Sequence, residues 1–96
     1  MANGYLTFIK ERSGDTQKII AVVNRTGKTQ VYNKLKEYFP DLTRRELLHR
    51  FPYEDVYSDE FKYNSDTQIV TYQGKSYVRN PEKITLSDGT TLSIRD

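Results

Sequence analysis

The sequence predicts an α+β fold that is strand-rich at both ends and helical in the middle, with the helices packed on one face of a mainly antiparallel sheet. Three observations predict it. Runs of β-branched and aromatic residues open and close the chain, an apolar stripe at helical spacing lies between 31 and 39, and short Gly-containing turns separate apolar runs at hairpin distance. The 96 residues suit one domain, 1–96, because a second core would need roughly 50 residues of its own.

Residues 5–12 (YLTFIKER) and 17–24 (QKIIAVVN) flank Ser13-Gly14-Asp15-Thr16 and predict an N-terminal hairpin over 5–24. The almost continuous apolar run 19–23 suits a strand covered on both faces, the expected middle of the sheet. Asn24-Arg25-Thr26-Gly27 breaks the pattern. Val31, Tyr32, Leu35, Tyr38 and Phe39 then mark one face of a helix over 29–39, which Pro40 ends. Thr43 and Glu46 form a capping-box pattern, and Leu47, Leu48 and Phe51 give a second helix over 43–51, closed by Pro52.

Residues 53–66 (YEDVYSDEFKYNSD) fit two descriptions. Tyr53, Val56, Tyr57 and Phe61 would share one face of a third helix begun at Pro52; equally, the segment could be a long loop pinned by its aromatics. Two hairpins follow. Residues 68–72 and 75–79 flank Gln73-Gly74, and 83–87 and 90–95 flank Asp88-Gly89, with Ile84, Leu86, Leu92 and Ile94 alternating against Thr85, Thr91, Ser93 and Arg95. The expected core is Leu6, Phe8, Ile20, Val22, Leu35, Phe39, Leu47, Leu48, Val70, Ile84, Leu86, Leu92 and Ile94. Pattern alone leaves an open sheet and a barrel as equal solutions, and six strands in so short a chain leave edges on which a homodimer could pair.

Composition narrows the chemistry. With no Cys there is neither a disulfide framework nor a thiolate metal site, which points to a reducing, cytoplasmic setting. No apolar stretch approaches the roughly 18 residues of a membrane span, so no membrane partner is expected. Eight Tyr and four Phe must supply much of the core. Net charge is +2, but unevenly spread: residues 1–50 carry ten bases against five acids, and residues 51–96 five bases against eight acids. Such polarity can mark an anionic partner.

The catalytic motifs fail. Gly27-Lys28-Thr29 between a strand and a helix resembles the end of a phosphate loop, yet Val22 stands where that loop needs its first Gly. His49 is the only histidine, with no second ligand for a metal and no nucleophile to serve, so no catalytic residue, metal or cofactor is expected. The acids Glu54, Asp55, Asp59, Glu60 and Asp66 read as a solvated face, and the sequon at Asn24 as chance.

What remains is binding, by one of two surfaces. A basic helical face of Lys34, Lys36, Arg44, Arg45, His49 and Arg50 suits the phosphates of nucleic acid, as in a small regulatory protein. Tyr53, Tyr57, Asp59, Glu60, Phe61 and Tyr63 interleave aromatic anchors with acids, as a protein-binding patch does. That second surface, over 53–63, or an exposed sheet edge, would suit a stoichiometric inhibitor or adaptor of the phage or mobile-element accessory type, which the small, Tyr-rich, Cys-free and Trp-free composition is similar to.

Overall fold

The chain folds around strand β1 (Gly4–Ser13), which turns back into β2 (Thr16–Val23) and also pairs on its other side with β3 (Tyr53–Ser58). A computed structural model describes residues 4–94 and is α+β, with two helices and eight strands in three antiparallel sheets. The helices are α1 (Arg25–Tyr38) and α2 (Arg44–Arg50). A second sheet is formed by β4 (Lys62–Asn64), β5 (Ile69–Tyr72) and β6 (Lys75–Val78), and a separate hairpin by β7 (Lys83–Thr85) and β8 (Thr91–Ser93).

Alternation along β1 builds two cores. Ile9 joins Ala21 and Val23 beneath the helices, where they meet Val31, Leu35, Leu47 and Phe51 and the hairpin residues Ile84, Leu86 and Leu92. Leu6 and Phe8, on the opposite face, join Val22 and Val70, with Phe61, Tyr72 and Tyr77 packed around them. The central sheet therefore lies between a helical layer and the β4–β6 sheet. Each fully buried Val, Leu or Phe in these layers contributes about 1.5–3 kcal/mol.

Polar groups buried on β1 act as ties. Glu11, only 5% exposed, accepts from the Ser87 backbone N–H and hydroxyl, both at 2.9 Å, and so fixes the β7–β8 hairpin to the sheet. Thr7, fully buried, donates to the Asp55 carboxylate at 2.7 Å and fixes β3.

Several sequence expectations are corrected. The run 19–23 is not the middle strand: β1 is, and β2 lies at the ladder's edge, its outer side met by Asn80 N–H donating to Val22 O. Its continuous apolarity reports cover on both faces by two layers, not a central place in the ladder. Residues 53–66 are neither helix nor loop but β3 and β4 with a connection. Glu54 and Asp55 on opposite faces of β3 disguised its period of two.

Helix α1 starts four residues before the expected 29, because Asn24 caps it by accepting from Gly27 N–H at 2.7 Å. The expected break at 24–27 is thus a cap followed by the first helical turn. The last hairpin is shorter than expected. Gly89, at φ 92°, closes a three-residue connection whose Leu86 N–H donates to Thr90 O, so pairing is confined to 83–85 and 91–93; Arg95 lies outside the described residues.

In the core, Ile20, Phe39 and Ile94 are half-buried supports, and Leu48 lines a surface cleft, whereas Ile9, Ala21, Val23, Val31 and Phe51, which are not among the thirteen expected core residues, are fully part of it. The capping box of α2 forms in both directions, with Glu46 N–H donating to Thr43 Oγ1 at 3.1 Å and Thr43 N–H to Glu46 Oε1 at 2.9 Å.

Gly27 is a helical glycine for which alanine should be destabilising. Ala normally stabilises an exposed helix position by about 0.5–1 kcal/mol, but a Cβ here would meet Asn80 Oδ1 at 2.7 Å and Val23 Cβ at 2.8 Å. Gly27→Ala is expected to lower stability by about 1–3 kcal/mol, read as a lower urea midpoint with unchanged slope.

Candidate functional site

A second stripe of α1, opposite the buried one, forms one wall of a cleft. Lys28, Thr29, Tyr32, Asn33 and Lys36 face Arg44, Leu47 and Leu48 of α2, with Tyr53 of β3 at the end, around a volume of about 360 Å³. The capping box sets the direction of α2, and the Phe39–Leu42 connection, held by Leu42 N–H donating to Phe39 O, sets its distance from α1.

The cleft's floor is pinned. Tyr32 donates its hydroxyl to Phe51 O, and burial, with Tyr53 beside it, pushes its pKa well above the ordinary 10.0. That phenol therefore stays a neutral donor. Lys36 donates to Leu42 O and holds the interhelical connection while keeping its charge in the cleft.

Lys28 sits 4.3 Å above the Tyr53 ring centroid and 3.5 Å from Asp55 Oδ1. Among the described residues three cations line the cleft and no acid does; Asp55, outside the lining, pairs with one of the three, Lys28. No ion pair among the described residues holds Arg44 or Arg45. Both stand in the first turn of α2, where the helix dipole disfavours cations. Helix stability does not account for them there.

The six basic residues named from sequence are not one surface. Lys36 and Arg44 share the cleft; Lys34 lies elsewhere on α1, 3.6 Å from Glu37. Arg45 and His49 are exposed outside the cleft, and the His49 carbonyl accepts from Arg12. Arg50, though exposed, lays its guanidinium over the Phe39 and Phe51 rings at 4.7 and 5.4 Å, a cation–π contact that turns it away from the other bases.

The aromatic-acidic group separates in the same way. Phe61 packs against Phe8 and Tyr72 in the second core. Tyr63 donates to Gln68 and lies beneath Arg79, whose guanidinium is 5.0 Å from the ring centroid. Asp59 and Glu60 are exposed in the β3–β4 connection. Tyr53 and Tyr57 are open, at 44% and 73% exposure, on one face of β3, and Tyr63 is as exposed as Tyr53.

Sequence reasoning left Thr29, Tyr32, Asn33 and Tyr5 out of the site. A helix drawn from Asn24 rather than Thr29 would have shown positions 25, 28, 29, 32, 33 and 36 as one polar stripe.

No cluster of three potential metal ligands occurs among the described residues, and no helix is long and apolar enough to cross a membrane. Comparison with known protein families, curated proteins and solved structures finds no match to this chain, so its own geometry carries the functional reading.

Hydrogen bonding from Thr7, with Lys28 nearby, holds the Asp55 carboxyl below its ordinary 3.8. The Thr43 cap lowers Glu46 in the same sense, and Thr90 lowers Asp88. Depressed folded-state values mean that the stabilisation is complete above the ordinary carboxylate range and is lost as pH falls through the folded values. Thr7→Val removes the largest cause at Asp55. It is expected to lower stability at about pH 7 while shrinking the difference between about pH 7 and pH 3, measured by urea midpoints at both.

Proposed function

We propose that the protein is a small non-catalytic binding protein whose helical cleft takes the phosphate backbone of nucleic acid. The observation that carries this reading is a cleft lined by Lys28, Lys36 and Arg44 and, among the described residues, by no acid, with Asp55 paired to Lys28 outside that lining. A phosphate in such a concave setting meets cations from two walls at once, and each contact releases condensed counterions. Asn33 and Thr29 add neutral donors suited to phosphate or sugar.

Arg44 and Arg45 support the reading by their position. Placed where the dipole of α2 opposes them, they pair with no acid among the described residues, so an incoming anion displaces no partner there. The carbonyls of Leu42 and Pro40 accept from the Lys36 ammonium group and orient it. Lys28 is steadied in the same way by Tyr53 and Asp55.

Three phosphate contacts at about 0.7–0.9 counterions each predict a 20- to 40-fold loss of affinity between about 50 and 200 mM salt. Arg44→Ala is expected to weaken binding, to reduce the slope of log affinity against log salt by about 1, and to leave the fold intact. Lys62→Ala, on the far sheet, should change neither. Fluorescence anisotropy across a salt series reads all three; no binding at low ionic strength, or equal weakening by both substitutions, would refute the reading.

A further inference from the structure

The aromatic side of the cleft identifies which form of nucleic acid fits it, an inference that rests on the phosphate-binding reading above. Tyr57, Asp55 and Tyr53 lie on the face of β3 that carries Tyr5, Thr7 and Ile9 of β1. Tyr53 and Tyr57 are four residues apart, about 13 Å along a strand. Tyr57 is 73% exposed, and a large ring left so open gives up apolar burial that the fold could otherwise have used.

Both rings are held from one side. Tyr5 lies against Tyr57 with ring centroids 4.8 Å apart, and Arg25 stands over Tyr5 at 5.8 Å. Lys28 covers Tyr53 at 4.3 Å, and Tyr32 abuts it edge-on at 6.1 Å. Rings fixed before binding lose little further freedom when a flat partner stacks on them. The acid between them, Asp55, is already bonded by Thr7 and Tyr5 and paired with Lys28, so its charge is partly spent within the protein.

We propose that the cleft and the two tyrosines form a continuous path for single-stranded nucleic acid, with the backbone held by Lys28, Lys36 and Arg44 and bases stacked on Tyr53 and Tyr57. A flat aromatic platform beside a row of cations is the arrangement that tracks unpaired strands without reading sequence. A duplex keeps its bases stacked on one another and offers these rings nothing.

The probes are a single-stranded DNA of mixed sequence about 12 nucleotides long, an abasic strand of the same length and the corresponding duplex, at matched low salt. The single strand is expected to bind at least about tenfold more tightly than the abasic strand or the duplex. Tyr57→Leu should cost the single strand about 5- to 150-fold, the usual strength of one base–aromatic stack, and should not affect the abasic strand. Tyr57→Phe, which keeps the ring, should restore most of the affinity.

Equal binding of all three probes, tighter binding of the duplex, or no effect of Tyr57→Leu overturns the single-strand assignment while leaving the phosphate-binding cleft standing. Binding of none of the three overturns both. The exposure of Tyr57 keeps the test independent of folding, and thermal melts of the two variants that match the parent establish this directly.

Discussion

Strand β1 cannot satisfy its side chains with one covering layer, and the architecture is the solution to that constraint. Its odd positions, Thr7, Ile9 and Glu11, face the helices, while Leu6 and Phe8 face the β4–β6 sheet. Both sides must be closed, and each is closed by a different part of the chain. Two of the buried odd residues are polar, and each is bonded across a long sequence separation: Thr7 to Asp55, and Glu11 to Ser87. Leaving such a group buried and unbonded costs about 1–3 kcal/mol. These bonds therefore fix which strand may lie beside β1 and which hairpin may close the helical core.

The candidate site follows from that arrangement. Thr7 fixes Asp55, Asp55 engages Lys28, and Lys28 covers Tyr53 at the end of the cleft. Tyr32 and Lys36, bonded to the backbone after each helix, hold the opposing walls. Most of the cleft's charged groups are thus placed by the fold. Arg44 is the exception: it has no ion-pair partner among the described residues and a position that the helix dipole opposes. A cation positioned against local stability is the kind of residue that binding to an anion explains.

What could be read from the sequence divides along physical lines. Local signals succeeded where one interaction decides the structure, as with the Thr43–Glu46 box, the prolines after each helix and the Gln73-Gly74 turn. They failed where a distant layer decides it. Nothing within 19–23 tells a strand central in its ladder from an edge strand covered by two layers, and Glu54 beside Asp55 hides a strand because β1 gives each acid a partner on its own face, Lys10 and Thr7. The site shows the same division. Lys36 and Arg44 carry a charge pattern visible in sequence, but the packing of Phe61 and the engagement of the still exposed Tyr63 and Arg50 depend on contacts with Phe8, Gln68 and Phe39. Tyr5 became relevant only when β1 and β3 were seen to pair.

The central claim is that one continuous face, from Arg44 through Lys28 and Tyr53 to Tyr57, meets the ligand. Backbone amide shifts in a ¹H–¹⁵N titration with a short single-stranded oligonucleotide test it most directly, since every described strand and helix reports independently. The account predicts that shifts concentrate at Lys28, Asn33, Lys36, Arg44, Tyr53 and Tyr57 while β4, β5 and β6 stay still. Shifts centred on the β4–β6 sheet or on Asp59 and Glu60, with the cleft amides unmoved, would contradict it.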